Sequence, residues 1–347
     1  MNSDIADRIK LVNEKSINDD GEFILYWMIA TRRFNYNASL QFAAELAIQH
    51  DVPLLVIEEI STSHKFANDR IATFMIQGMV ENISTFRDNK IRYIPWVETP
   101  LSGPIGLLKE IAKRAKIIVS DEFPTYYPRR AIEAASNSIP IQMYTADSNG
   151  VIPMSWTESA HTTAHGFRRW IHANFSRCPE TWPKRNPIPK NTNLMMSDEL
   201  FSSIIDECSV KLPPFEWLWR CSEGGSVGRK ALSAIDVDHT VEPVRMANGG
   251  RTTAKRKLAN FLTNNLDRYH LDRNSVDNPA VSGLSPWLHF GHISSIEIVE
   301  QILNQNGWTP EHIEMSRKGS REGWWGLSQG IESFLDQIIT WRELGFN

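Results

Sequence analysis

Phe23-Ile-Leu-Tyr-Trp-Met-Ile29 is an unbroken apolar run of strand-forming residues, and the segments on its C-terminal side decide the fold. Asn37 stands at a helix start, and Leu40, Ala43, Ala44, Ala47 and Ile48 then recur at helical spacing. Pro53-Leu-Leu-Val-Ile57 reads as the next strand, and Asp69 caps a helix through Phe74, Met75, Met79 and Ile83. Further strands are predicted at Ile91-Arg-Tyr-Ile94, Lys116-Ile-Ile-Val-Ser120 and Ile139-Pro-Ile-Gln-Met-Tyr144, with Leu107 to Ala115 helical between two of them. Such alternation predicts an α/β, Rossmann-like parallel sheet with helices on both faces.

The remaining composition fits that frame. A chain of 347 residues with 41% hydrophobic content and net charge -4 is long for one domain and is neither disordered nor strongly basic. Its 12 Trp are a heavy load, and some are expected to line a cavity. Cys178, Cys208 and Cys221 lack metal-ligand spacing and suit a reducing compartment. Residues 1–21 have no apolar core for a signal peptide, and no apolar run approaches the ~18 residues of a membrane span. A cytoplasmic monomer with no membrane attachment is the expectation.

From Gly150 to about Pro243 the periodicity dissolves around Pro153, Pro179, Pro183, Pro187, Pro189, Pro213 and Pro214. This reads as a long connection draped over the surface, with short helices such as Thr163 to Ala173. Helices dominate again after Asn248-Gly249-Gly250, at Thr253 to Leu266, Ser294 to Leu303 and Glu332 to Leu344.

A doubly wound sheet usually binds a dinucleotide at its first strand–helix turn, where glycines let the backbone approach the pyrophosphate. Here that turn, Ile29-Ala-Thr-Arg-Arg-Phe-Asn-Tyr36, has no Gly. Pyrophosphate binding at this turn is excluded on that ground. Arg32 and Arg33 are expected to be solvated loop residues.

The segment that carries chemistry lies later: Tyr269-His-Leu-Asp-Arg-Asn274, then Val281-Ser-Gly-Leu-Ser-Pro-Trp-Leu-His-Phe-Gly-His-Ile-Ser294. Ser285 followed by Pro286 reads as a helix start, hydroxyl at the N-cap and proline at the first helical position. Ser282 and Ser285 offer hydroxyls, Gly283 permits close approach, and a helix N-terminus attracts anions, so a diphosphate fits. An ordinary Ser-Pro helix cap fits these residues as well. The complete string resembles the flavin-binding segment of the photolyase and cryptochrome family: Tyr, then Arg-Asn/Asp, then Ser-x-Leu-Ser-Pro-aromatic-Leu-x-Phe-Gly-x-Ile-Ser. Leu25-Tyr-Trp-Met28 and Arg70 to Met79 resemble the class II branch, which repairs cyclobutane (CPD) lesions, and Phe334 to Leu344 resembles the family's substrate-facing helix.

The resemblance implies a blue-light-driven deoxyribodipyrimidine photo-lyase, a carbon–carbon lyase in which reduced FAD passes an electron to a pyrimidine dimer flipped out of UV-damaged DNA. Residues 1–22 would then be a polar extension, 23–150 an α/β antenna-type domain, 151–245 the connection, and 246–347 an all-α FAD-binding domain. By the same resemblance Tyr269, Ser282, Leu284 and Ser285 line the FAD diphosphate and ribityl chain, with Val281 and Gly283 between them. Arg342 lies near flavin and substrate. Trp341 packs on the flipped base, which needs an aromatic surface to replace its lost stacking. Gln337 and Trp341 are four apart on one helix and so are expected to face one cavity as the catalytic and DNA-binding pair.

Some positions depart from the family. Gln337 stands where the class II pattern has Glu, and it carries no acid proton; branches with Gln there act on the 6-4 photoproduct or on single-stranded DNA. Trp287 replaces the usual Tyr. The family's helical domain also continues past the Trp-Arg-Glu helix, so the chain is expected to be C-terminally truncated, without the isoalloxazine half of the pocket. The alternatives are a cryptochrome-like photoreceptor without repair, or an inactive photolyase-like fragment. The antenna chromophore is left open.

Weaker signals remain. His289 with His292, and His161 with His165, have helical metal spacing but no partner ligands, so packing or surface roles are expected and no metal is assigned. Trp324-Trp325 reads as either a rim of the substrate opening or a loop over the core. Residues 165–190 carry Arg168, Arg169, Arg177, Lys184, Arg185 and Lys190 against the single acid Glu180, interleaved with Phe167, Trp170, Phe175 and Trp182. That pattern suits either a phosphate-backbone contact or a solvated linker.

Overall fold

The computed structural model describes residues 3–100 and 106–346. Met1, Asn2 and Asn347, which bound the expected N-terminal extension and the expected truncation, lie outside the described residues. The sheet is built from β1 (Ile9–Leu11), β2 (Phe23–Met28), β3 (Leu54–Ile60), β4 (Arg92–Val97), β5 (Ala115–Asp121) and β6 (Met143–Ala146), ordered β1-β6-β5-β2-β3-β4. All neighbours run parallel except the edge pair β1–β6. Strand β1 falls in the segment expected as a mere extension. Three residues are too short a run to show a period, so their pairing was not legible in advance.

Helices α1 (Ala38–Gln49), α2 (Asp69–Asp88), α3 (Leu107–Ala112) and α4 (Tyr126–Ser138) alternate with the strands. Next come α5 (Ala164–Asn174), α6 (Asp198–Glu207), α7 (Phe215–Glu223) and α8 (Gly225–Leu232). The rest is helical: α9 (Arg251–Asn264), α10 (Tyr269–Asp272), α11 (Ser285–His289), α12 (Ser295–Gln305), α13 (Gln329–Leu335) and α14 (Arg342–Leu344).

The two-residue period of a strand sends alternate side chains to opposite faces, and both faces of β2 are buried. Ile24, Tyr26 and Met28 pack with α1 and with Phe86 of α2. Phe23, Leu25 and Trp27 pack with α3, α4 and Ile204 of α6. Helix α6 comes from the stretch expected as a surface connection, and so do α7 and α8, whose Leu218, Cys221 and Leu232 close over Met75, Ile76 and Met79 of α2. The connection is therefore folded, with α6 to α8 on the α/β part and Phe167, Ile171 and Phe175 on the helical part. Pro213 and Pro214 directly precede α7, Pro179 lies inside a 3-10 turn, and Pro183, Pro187 and Pro189 lie between α5 and α6, where they hid the periodicity without preventing it.

Local capping sets the helix starts. Asn37 Oδ1 accepts from the Leu40 N–H at 2.8 Å. Asn68, one residue before the expected Asp69, caps α2 by accepting from the Ile71 N–H at 3.0 Å. Asp69 is instead buried beside His239, with Nδ1 at 2.8 Å.

The glycine-free turn after β2 is filled from within. The N–H groups of Ile29, Ala30 and Thr31 all donate to Asp121 Oδ2, at 2.9, 2.8 and 2.8 Å. Tyr26 and Ser39 hydroxyls donate to its other oxygen, at 2.8 and 2.9 Å. The chain's own carboxylate thus occupies the place where a phosphate would sit. Arg32 and Arg33 are buried, which corrects the expectation of solvated side chains. Arg32 pairs with Glu58 at 2.8 Å, and Arg33 donates to the carbonyls of Tyr36, Ser148 and Gly291 at 3.0, 3.2 and 2.9 Å. Gly291, at φ +73, lies so close to this turn that a β-carbon would stand 1.9 Å from the Ala30 carbonyl oxygen. Among the described residues no helix is long and apolar enough to cross a membrane.

Replacing Asp121 with Asn puts an NH2 group among donors that need an acceptor. Asp121→Asn is expected to destabilise the fold by about 2–4 kcal/mol. Urea unfolding checks this, and an unchanged midpoint would show that the turn does not depend on the carboxylate.

Candidate functional site

A cleft of about 500 Å³ is lined by Phe123, Tyr269, Ser282, Ser285, Leu288, His289, Phe334, Gln337, Ile338, Arg342 and Phe346. It is of the size that small-molecule and cofactor sites occupy. Among the expected site residues it gathers Tyr269, Ser282, Ser285, Gln337 and Arg342 from distant stretches of chain.

Tyr269 opens α10, with its ring edge-on to Phe261 and Phe334 at 5.8 and 5.3 Å. The Arg273 guanidinium lies 5.8 Å from its ring centre. Burial raises the phenol pKa, keeping the O–H a donor at neutral pH. Ser285 is the first residue of α11 and Leu284 its N-cap, one position from the expected start, so the Ser285 hydroxyl caps nothing. The Ser282 hydroxyl oxygen accepts from the Leu284 N–H at 3.4 Å, leaving its own proton available. Both hydroxyls can face an anionic ligand.

The neighbours between them lie elsewhere. Leu284 is fully buried in the helical core, and Val281 is half exposed, so neither side chain lines the cleft. Gly283 adopts φ +63, and a β-carbon there would be 3.7 Å from Lys257 Nζ. That ammonium sits 5.4 Å from the centre of the buried Trp287 ring, whose indole N–H donates to the Asn248 carbonyl at 3.1 Å. Sequence reasoning missed Lys257, since nothing in the α9 pattern separates it from the solvated Lys255 and Arg256.

Between α13 and α14 the chain makes a π-helical turn, Asp336–Trp341. The wider turn brings residues five apart into register. Gln337 and Arg342 both line the cleft. Trp341, 48% exposed, reaches back instead to Asp336, donating its indole N–H to Oδ2 at 3.2 Å. The expected pairing of Gln337 with Trp341 on one cavity face is thus replaced by Gln337 with Arg342, because an α-helical count does not hold across this turn. Asp336 is itself held by Arg168 at 2.7 and 3.1 Å.

Arg342 is fixed from behind. It donates to the Asn149 carbonyl at 2.6 Å and lies 4.8 Å from the Phe346 ring centre. The next residue, Glu343, is buried and accepts from the Val151 and Ile152 N–H groups at 2.6 and 3.1 Å. Burial lifts its pKa to about 7, against the lowering effect of those hydrogen bonds, Arg342 and Arg8.

Phe123, Leu288, His289, Phe334, Ile338 and Phe346 complete the lining without having been expected as site residues. The spacing of Phe334 and Ile338 carried a signal, and Phe123 lies just past the carboxyl end of β5, where open sheets bind ligands. His289 was read as packing or surface; burial lowers its pKa, keeping it neutral. His292 is fully buried, stacked on Phe74 at 5.1 Å, and its Nδ1 accepts from the Gly250 N–H at 3.0 Å. Among the described residues no group of three or more His, Cys, Asp or Glu could hold a metal. Trp324 and Trp325 are buried against Phe175, so they belong to the core and not to the rim. The basic stretch also divides: Arg168 is inside, paired with Asp336, whereas Arg169, Arg177, Lys184, Arg185 and Lys190 are exposed.

No family model matches the chain. It is 25% identical over 309 residues to the deoxyribodipyrimidine photo-lyase of Methanothermobacter thermautotrophicus, covering 89% of this chain and 62% of that protein. It is 26% identical over 346 residues to the enzyme of the same name from Arabidopsis thaliana, covering 93% of this chain and 58% of that one. The chain thus spans about six-tenths of the length of these relatives. Its fold is similar to a bacterial class III photolyase from Agrobacterium tumefaciens (TM-score 0.58, 15% identity, 95% of this chain and 59% of that one). It is equally similar to a cryptochrome from Synechocystis sp. PCC6803 (TM-score 0.59, 14% identity, 95% and 62%).

Glu343 gives the cleft wall a pH dependence. Its folded pKa lies above the ordinary value of 4.5, so its contribution to stability is full below pH 4.5 and is lost as pH rises through about 7. Glu343→Gln should therefore gain stability relative to the native chain between those limits, by at most about 1.4 kcal/mol per pH unit. Thermal melts of both proteins across that range check the sign, and a constant difference would refute it.

Proposed function

From the premise that the chain belongs to the photolyase/cryptochrome family, we propose that it is a light-driven DNA repair enzyme, a deoxyribodipyrimidine photolyase acting with FAD on UV-damaged DNA. The observation that carries this reading is the single cleft that unites Tyr269, Ser282 and Ser285 with Gln337 and Arg342. In it residues 23–150 serve as the antenna-type domain, residues 246–347 as the FAD-binding domain, and the protein acts as a monomer.

The residues fit the cofactor's anionic end. Two hydroxyls with free protons, a glycine without a β-carbon, and an ammonium 3.7 Å from that position form a cationic, hydroxyl-rich cradle. Ser282, Ser285 and Lys257 would hold the diphosphate, with the backbone at Val281, Gly283 and Leu284 shaping its path. When bound, reduced FAD supplies the light-excited electron that splits the dimer. Tyr269 and Phe334 wall the cleft and exclude water. The Gln337 amide donates a hydrogen bond to a pyrimidine carbonyl, orienting the base without giving up a proton. Arg342, held by the Asn149 carbonyl, places a fixed positive charge in the wall where negative charge on the substrate develops. Trp341 supplies an aromatic surface for the substrate strand.

Gln337 also favours a second reading, a flavin photoreceptor without repair, since its amide carries no acid proton to share with a reduced base. The purified protein should show flavin absorption in the blue, and illumination under reducing conditions should restore dimer-containing oligonucleotides. Bound flavin with unchanged dimers would favour the photoreceptor; no flavin after reconstitution with FAD would sink both readings.

A further inference from the structure

Behind the cleft wall the segment Asp147–Ile152 threads between four charged side chains. Arg8 meets the Asp147 carboxylate at 3.6 Å and donates to the Gly150 and Val151 carbonyls at 3.1 and 2.8 Å. Arg342 donates to the Asn149 carbonyl, and Glu343 accepts from the Val151 and Ile152 N–H groups. Two cations face two anions, so the quartet is neutral when both acids are ionised.

The two acids are not held alike. Asp147 has Arg8 beside it, and its oxygens also accept from the Asn149 N–H at 2.9 Å, the Asn149 amide at 3.1 Å and the Met154 N–H at 2.9 Å. Glu343 has its two backbone donors and, among the described residues, no ion-pair partner within 4.0 Å. The other groups around it bring no compensating charge. Cys178 is a buried thiol whose pKa is raised by burial, and Phe167 and Trp170 present apolar rings from α5. Asp7, next to Arg8, is exposed and accepts from the Trp156 indole N–H at 2.8 Å. Burial lifts the Glu343 carboxyl to about 7.

A separate cavity of about 20 Å³, room for one water, is lined by Glu343 together with Gly150, Thr157 and Trp170. It shares only Phe346 with the cleft, so one ring divides the space beside Glu343 from the space in front of Arg342. A buried cluster of balanced charge tolerates an added charge poorly. An anion that settles against Arg342 leaves the quartet with one negative charge in excess, and Glu343 is the acid with the fewest partners. We propose that Glu343 is the proton-uptake site of the cleft: an anion arriving at Arg342 is compensated by a solvent proton that enters through the rear cavity and converts Glu343 to the neutral acid. The step is an acid–base transfer in which one proton joins a Glu343 oxygen and no other covalent bond changes. Glu343 acts through Arg342 and is a positioning residue. This deepens the proposed function by naming how the same cleft responds to charge, and it rests on that reading in taking FAD as the anion.

Binding of FAD to the chain stripped of flavin, followed by fluorescence quenching and by titration calorimetry in two buffers of different ionisation enthalpy, tests it. The complex should hold more protons than the free chain, so affinity should fall as pH rises. A tenfold rise in the proton affinity of Glu343 corresponds to about fivefold weaker binding at about pH 8.5 than at about pH 6.5, with uptake of about half a proton per FAD midway. Glu343→Gln mimics the protonated acid. It should bind FAD without proton uptake, at all pH values within about twofold of the native affinity at about pH 6.5. His289→Gln should keep the native dependence, because burial already holds that cleft imidazole neutral over this range. Proton uptake that persists in Glu343→Gln or is lost in His289→Gln overturns the assignment, as does weak binding by a folded Glu343→Gln chain. Bound FAD with no proton uptake by the native chain overturns it while leaving the flavin reading standing. FAD that does not bind the native chain overturns both.

Discussion

Arg8 holds the exit of the last strand in place, and both halves of the molecule meet at that exit. Its guanidinium is buried and donates to the carbonyls of Asp147, Gly150, Val151 and Thr181 at 3.3, 3.1, 2.8 and 2.7 Å. From the opposite side Glu343 accepts two N–H groups of the same segment, and Arg342 donates to the carbonyl of Asn149. The carbonyls of Asp147 to Val151 are thereby all hydrogen-bonded, although the segment runs through the interior between sheet and helices. Arg8 also meets the Asp147 carboxylate at 3.6 Å, so this buried charge is both paired and hydrogen-bonded. The position of Arg342 in the cleft therefore depends on residues that never touch the cleft.

The same economy of charge explains why the sheet has the form of a nucleotide binder without binding at the usual turn. Three consecutive N–H groups converge after β2, as they would around a phosphate, and Asp121 from the neighbouring strand fills them. An internal carboxylate makes the turn rigid, and rigidity matters there. Arg33 leaves the same turn to bond the Gly291 carbonyl, while Gly291 packs on Ala30 from the helical side. The turn that serves cofactor binding in other doubly wound sheets serves here to dock the helical part, and the anion site proposed for this chain lies instead in the Ser282–Ser285 stretch.

The elements with long, regular periods were legible in the sequence. The five longer strands and the helices capped by Asn37, Thr163 and Ser294 lie where alternation and capping placed them, to within a few residues. The illegible parts have specific causes. The run Ile9–Leu11 is too short to carry a period. Helices α6 to α8 are short and interrupted by Pro213, Pro214 and Gly224, and the packing of Ile204, Leu218 and Leu232 shows that they are folded. Arg32 and Arg33 read as solvated because a sequence does not reveal that Glu58 and a set of carbonyls wait for them. In the cleft, Tyr269, Ser282, Ser285, Gln337 and Arg342 were named from a motif, whereas Phe123 comes from chain distant in sequence, and Lys257, beside Gly283 and not in the lining, carries no mark in the α9 pattern.

The π-helical turn is where a residue pattern and its geometry part most clearly. Counting by α-helical turns puts Gln337 and Trp341 on one face, and their identities suit a substrate pair. One wider turn shifts that register, so that Gln337 keeps company with Arg342 and Trp341 with Asp336. Such a turn sacrifices regular hydrogen bonding, and it persists when tertiary contacts fix both ends. Here Arg168 anchors Asp336 at its start, and the Asn149–Ile152 segment anchors Arg342 and Glu343 at its finish. Both anchors are buried, so the register cannot slip by one residue without stranding a charge on each side. The chemistry that faces the cleft, an amide and a guanidinium instead of an amide and an indole, is therefore fixed by the Arg168–Asp336 ion pair at one end of the turn and by hydrogen bonds to the Asn149–Ile152 segment at the other.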